Sequence, residues 1–338
     1  MNQTIRLGVV GTGMAWHRLH WPALQKLTDQ YEIAAVCNKT VAKAHGFANS
    51  IALPSDRVYA DYREMLTRGD IDAVDVLVPI SENYEVARDV LNAGKHLIAE
   101  KPFASSPEAA QELIALKNNK NLTVLVAENV RYDEENRIIK TLLTDKTLGE
   151  ALSFVQVTGA DFEKDQTGDT FAAKEWRQHP AFAGGIFLDG GIHDIARMRF
   201  LFGDADTLSA VGIPHDKDFC PYAAIQSQLR FQCGVTGQYT YLSANAEQAK
   251  PPVGLRIYCT DGDLYLESKE CGQVLIARKD GTTQTRPFTP AQGYYNELLN
   301  FWGALCNGET LVSTPETELG DIALVCGILR AIRENRVI

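Results

Sequence analysis

Along the first 128 residues, short apolar runs alternate with longer stretches in which apolar residues recur every three or four positions. The runs at 5–10, 32–37, 73–78, 96–99 and 123–127 are rich in Val, Ile, Leu and Ala, the composition of strands buried on both faces. Between them, 61–68, 84–93 and 107–119 have helical spacing, the last with Ala110, Leu113, Ile114 and Leu116 on or near one stripe. Pro22 is expected to divide the first intervening helix into pieces at 14–20 and 22–27. This rhythm predicts an α/β fold opening on a doubly wound parallel sheet with helices on both faces.

Near Gly149 the pattern changes to strict alternation, clearest in Ile225-Gln226-Ser227-Gln228-Leu229-Arg230-Phe231-Gln232. Period two marks a sheet with one buried face. Similar strands are expected at 151–159, 207–212, 235–243, 254–260 and 274–278, with hairpin turns at Asp261-Gly262 and Asp280-Gly281. The second part is therefore expected to be an α+β domain with a large open, mostly antiparallel sheet. Gln226, Gln228 and Arg230 would lie on its outer face, either solvated or at a subunit interface. A single helix from Gly184 to Phe202 interrupts the strands, and helices over 292–307 and 317–333 close the chain. The expected domains are 1–128 and 129–338, with the return of the last helices to the first domain left open.

Composition narrows the function classes. The 338 residues are 45% hydrophobic and 22% charged, with a net charge of −10, which argues against nucleic acid or an anionic membrane as main partner. No apolar run reaches membrane-spanning length. The amino terminus enters a strand without a signal-peptide core, and seven cysteines without a CxxC pair suit reduced thiols. Both point to a cytoplasmic protein. His17 and His20 have no third ligand nearby, so no metal site is expected and both read as ordinary surface or pocket histidines.

Four stretches carry candidate chemistry. Gly11-Thr12-Gly13 follows the first strand, where backbone N–H groups at a helix start can receive a pyrophosphate. The full fingerprint wants a third glycine at position 16, and Trp16 stands there. The second strand ends at Asn38-Lys39-Thr40, without the carboxylate that usually holds the ribose diol of NAD. Lys101 precedes Pro102 in GKHLIAEKP, at the carboxyl end of a strand, where a lysine can polarise a substrate oxygen. Asp189 and His193 in GGIFLDGGIHD would share one face if that turn is helical, as a carboxylate orienting an imidazole base. A solvated lysine and a structural Asp–His pair are the plain alternatives.

Taken together, GVVGTGM, GKHLIAEKP, AENVRY, GGIFLDGGIHD and TDGDLYL resemble the Gfo/Idh/MocA oxidoreductase family along almost the whole chain. The resemblance implies a Rossmann domain and hydride transfer between a nicotinamide and a hydroxyl-bearing carbon of a sugar, polyol or related carbonyl compound. It implies Lys101, His193 and Asp189 as catalytic residues, with Trp176, Arg177 and Arg131 beside them at the substrate. Cofactor contacts are expected from Gly11, Thr12, Gly13, Met14, Asn38, Lys39, Thr40, Pro79, Glu100, Lys101 and Asn129. NADP is the expected cofactor, with NAD the alternative, because Asn38 does not repel a 2′-phosphate and Lys39 can attract one. The resemblance also implies a homo-oligomer, dimer or tetramer, through the open sheet face. Trp16, and Tyr84 where many members carry histidine, depart from the family pattern. An NAD-dependent glycosidase and a non-catalytic nucleotide sensor are the other classes this architecture serves.

Overall fold

A computed structural model describes residues 4–244 and 254–338. The six strands of the first half are β1 (Ile5–Val10), β2 (Tyr31–Cys37), β3 (Val58–Tyr59), β4 (Ala73–Val76), β5 (His96–Glu100) and β6 (Val124–Ala127). They form one sheet in the order β3-β2-β1-β4-β5-β6, and every pair is parallel. Helices cover both faces of such a sheet, which is why β4 and β6 are buried at every position. The chain leaves β1 first toward β2 and later returns to β4 on its other side. The carboxyl ends of β1 and β4 therefore flank the crevice where open α/β sheets take ligands.

Two helix expectations in this half need correction. The chain does not break at Pro22: a five-residue wide turn, Trp16–His20, runs directly into a helix at Trp21–Leu24. Proline stands in the first turn of that helix, directly after the wide turn, where its fixed φ suits the helical backbone. The helix expected from Tyr84 spans Ile80–Asn92 and starts directly after Pro79. Its first turn, Ile80-Ser81-Glu82-Asn83, is polar enough to mask the helical spacing.

Residues group into two compact units, Met1–Asn129 with Tyr294–Leu319, and Val130–Gly293 with Gly320–Ile338. Within the first, the late helix Gly293–Asn307 meets β2: the Tyr31 hydroxyl donates to the Leu298 carbonyl at 2.5 Å.

In the second unit the strands are β7 (Ala151–Gly159), β8 (Ala205–Pro214), β9 (Tyr222–Phe231), β10 (Thr236–Leu242), β11 (Gly254–Cys259), β12 (Gly262–Leu266), β13 (Gln273–Arg278) and β14 (Thr283–Pro287). Among the described residues they form one sheet, β14-β13-β12-β11-β7-β10-β9-β8, antiparallel except for β7 with β10. Alternation in β9 is as expected: Ile225, Ser227, Leu229 and Phe231 are buried, while Gln226, Gln228 and Arg230 are exposed. On the buried face Phe154, Phe202 and Phe231 pack ring against ring at 5.1–5.8 Å, joining β7 and β9 to the helix Ile192–Phe202. The opposite face leaves Val211 and Ile213 in solvent, and Leu152 is exposed at the irregular start of β7. Among the described residues no helix is long and apolar enough to cross a membrane.

Candidate active site

In the first unit the chemistry gathers at the carboxyl edge of the parallel sheet. Gly11 has φ +102°, and a Cβ there would stand 2.2 Å from the Leu77 carbonyl oxygen, so the turn after β1 admits only glycine. A Cβ on Gly13 would meet nothing within 4 Å, leaving open space beside the backbone at the helix start. That open approach is what a dinucleotide pyrophosphate requires. Met14, half-buried, opens the helix. Trp16, which stands where the fingerprint wants a third glycine, is fully buried, stacked on Trp21 and edge-on to Phe47. The wide turn gives the indole room, so close helix-to-strand packing is not needed at that position.

Thr12 and Asn38 are tied to each other: the Asn38 amide donates to the Thr12 hydroxyl at 3.2 Å, and Thr40 N–H donates to Asn38 Oδ1 at 2.9 Å. The Lys39 ammonium pairs with Glu82 at 2.7 Å. Sequence reasoning missed Glu82, because it lies in the unrecognised first turn of the helix after Pro79. Tyr84 sends its hydroxyl to Glu112 on a neighbouring helix.

Lys101 follows β5, half-buried, with a cis peptide bond to Pro102. The turn around it is heavily tied. Glu100 Oε2 accepts from Lys101 N–H at 3.2 Å, while the Asn83 amide donates to the carbonyls of Glu100 at 3.3 Å and Pro102 at 2.9 Å. His20 lies behind Glu100, fully buried, with Nδ1 2.8 Å from Asp75 Oδ2 and Nε2 3.2 Å from Glu100 Oε1. Burial alone would lower the His20 pKa. The Asp75 charge and the hydrogen bonds to Asp75 and Glu100 outweigh it and hold the pKa well above the ordinary value. Both ring nitrogens thus face carboxylate oxygens. His20 is therefore not a surface histidine. The available signal was Asp75, one carboxylate inside the apolar strand Ala73-Val74-Asp75-Val76, which needed a buried partner.

In the second unit the expected single helix is two. Ile186–Asp189 ends at Gly190, and Ile192–Phe202 begins after Gly191. Gly185 has φ +52°, and a Cβ there would stand 2.1 Å from the Phe219 carbonyl oxygen. Asp189 and His193 thus sit on either side of a glycine pair where the regular helix is interrupted, although both glycines keep right-handed helical dihedrals. Asp189 is buried and takes the Arg177 guanidinium in two contacts, Nε at 2.5 Å and Nη2 at 3.4 Å. Arg177 lies 4.2 Å from the Trp176 ring centroid, so the EWRQHP stretch and Asp189 form one assembly. Half-buried His193 stands at the start of the second helix, which is pinned by its neighbour Asp194. Asp194 accepts from Arg197 at 3.2 Å and from the Tyr239 hydroxyl at 3.0 Å. Arg131 is placed differently from its expected role: it is buried, with its guanidinium 2.5 Å from Asp321, which also takes Arg199. Asn129 is buried directly after β6, and Pro79 caps the helix that follows β4.

A glycine turn after β1, the β3-β2-β1-β4 order and a lysine at the carboxyl end of β5 define a dinucleotide-binding oxidoreductase domain. The sequence matches the description "Oxidoreductase family, NAD-binding Rossmann fold" over residues 5–128 and the GFO/IDH/MocA C-terminal domain over residues 136–265. The chain belongs to the GFO/IDH/MocA oxidoreductase family. It is 28% identical to an uncharacterized protein of Saccharomyces cerevisiae, over 98% of this chain and 97% of that one. It is 24% identical to the 1,5-anhydro-D-fructose reductase of Ensifer adhaerens, over 79% of each. Among solved structures, an oxidoreductase from Thermotoga maritima superposes with a TM-score of 0.87 at 26% identity, covering 99% of this chain and 98% of the other.

Proposed function

We propose that this protein transfers a hydride between NADP(H) and a hydroxyl-bearing carbon of a sugar, polyol or related carbonyl compound. The observation that carries the reading is Lys101 at the end of β5, held on the same sheet edge as the Gly11–Gly13 turn. The reductase relative acting on 1,5-anhydro-D-fructose supports the substrate class. The nicotinamide, when bound, accepts or gives the hydride. Gly11, Thr12, Gly13 and Met14 hold the pyrophosphate side, Asn38, Lys39 and Thr40 the adenosine ribose side, and Pro79, Glu100 and Asn129 line the remaining contact.

Lys101 stabilises the developing oxyanion and shares its proton, and His193 is the general base in the oxidation direction. Asp189 holds the Arg177 guanidinium in place for substrate hydroxyls, with Trp176 as the apolar wall. This assignment follows from the two-contact Arg177–Asp189 pair. The open face of the eight-stranded sheet, with Val211 and Ile213 exposed, is the surface for a homo-oligomer.

The test is a panel of D-glucose, D-xylose, sorbitol, myo-inositol and 1,5-anhydro-D-fructose, followed by NAD(P)H absorbance in both directions. Turnover with at least one member is expected, and none with any member counts against the substrate class. Fluorescence titration with NADPH and NADH tests the cofactor: equal or tighter NADH binding refutes the NADP preference.

A further inference from the structure

The buried polar groups behind Lys101 serve neither the cofactor turn nor the substrate in the reading above. Asp75 sits inside a four-residue apolar strand, and among the described residues its Oδ1 has no hydrogen-bond partner. Burying a carboxylate there is expensive, and an apolar side chain would fill the same place at no such cost. His20 is equally buried, with the Tyr294 ring beside it at 6.0 Å between centroids. A neutral imidazole has one N–H to donate, yet both ring nitrogens face carboxylate oxygens. Stability alone does not call for this arrangement.

What it does accomplish is local. His20 bridges Asp75 on β4 to Glu100 at the end of β5, and so fixes the Glu100 carboxylate through Oε1. Glu100 then holds Lys101 by its backbone N–H through the other oxygen, Oε2. Asn83 clamps the carbonyls on either side, those of Glu100 and Pro102. The backbone is therefore held before, at and after the lysine.

We infer that His20, Asp75 and Asn83 are positioning residues for Lys101, with His20 the hinge pin of the set. The inference rests on Lys101 being the catalytic lysine. None of the three need touch substrate; each acts through the Glu100–Pro102 turn.

Four variants test it, with the fastest sugar or polyol of the panel and NADP⁺: His20→Ala, Asp75→Asn, Lys101→Ala and the double variant His20→Ala with Lys101→Ala. Misplacing a reacting group by about 1 Å costs roughly 10²-fold. A fall in kcat of that order is expected for His20→Ala and Asp75→Asn, with KM and NADPH affinity changed by less than about threefold, because the lost interaction acts in the transition state. In the Lys101→Ala background, His20→Ala should cost nothing further, since both changes remove the same contribution. A merely structural His20 would lower both backgrounds alike, and such multiplying losses overturn the inference. So does normal kcat in a folded variant. If His20→Ala does not fold, the near-isosteric Asp75→Asn decides. Near-normal turnover in Lys101→Ala sinks the catalytic reading beneath the inference, whereas an inactive Lys101→Ala beside normal His20→Ala and Asp75→Asn sinks the inference alone. Acetic anhydride labelling needs no substrate: because the turn that presents the ammonium is displaced, the Lys101 rate relative to exposed Lys279 should change about threefold or more in both variants. An unchanged ratio overturns the inference.

Discussion

Replacing Glu82 with Gln is the sharpest probe of cofactor choice, because it changes a competitor and not a ligand. The Glu82 carboxylate lies 2.7 Å from the Lys39 ammonium, the group proposed to meet a 2′-phosphate. Lys39 is 78% exposed and Glu82 31%, so solvent screens the pair and it contributes at most about 1 kcal/mol. A charge-assisted contact from Lys39 to a phosphate contributes about 1.5–3 kcal/mol. The phosphate therefore wins the lysine, but it must first displace Glu82 and tolerate a carboxylate nearby. Removing the charge should tighten NADPH by up to about fivefold, the equivalent of about 1 kcal/mol. NADH, which has no 2′-phosphate, should change by less than about twofold on the same scale. Lys39→Ala should move the other way, weakening NADPH about tenfold with NADH unchanged. The assay is fluorescence titration of both reduced cofactors against the three proteins at low and moderate salt. Unchanged or weaker NADPH binding in Glu82→Gln, or equal tightening of both cofactors, refutes the role given to this pair.

Three further predictions are independent of that one. Lys101→Ala and His193→Ala should each lower turnover by roughly 10²-fold or more with little change in cofactor affinity, and near-normal turnover in both would remove the catalytic assignment. Gly11→Ala should cost at least about 1–3 kcal/mol in thermal or denaturant unfolding and weaken both cofactors, because its Cβ would stand 2.2 Å from the Leu77 oxygen at φ +102°. Glu135 is buried, and burial, with nearby Asp133, pushes its pKa up to about 7. Because the folded protein keeps that proton while the unfolded chain loses it near the ordinary value of about 4.3, this group's contribution makes stability fall as pH rises through 7. Glu135→Gln should remove that slope and raise Tm at pH 8 relative to pH 5; an unchanged difference would refute it.

Much of this molecule was legible from local pattern. The parallel sheet followed from apolar runs spaced by helical stretches, and the mostly antiparallel one from alternation such as that in β9. Gly11 was legible too, since a turn directly after a strand selects glycine by its backbone angle. Expectation went astray where two local signals competed. Pro22 suggested a break, yet a wide turn before it absorbed the misfit and buried Trp16. Gly190 and Gly191 looked tolerable within one helix, yet they end one and start another.

The sequence by itself determined the strand and helix periods, the glycine turn, and the placement of Lys101 at a strand end, because each depends on residues a few positions apart. The tertiary structure alone decided which charges meet. His20 reaches Asp75 across 55 positions and Glu100 across 80, and Arg177 reaches Asp189 across 12. No periodicity encodes such pairs. They form because the packing of the elements brings distant residues within hydrogen-bonding distance, and because a charge buried there must find its opposite.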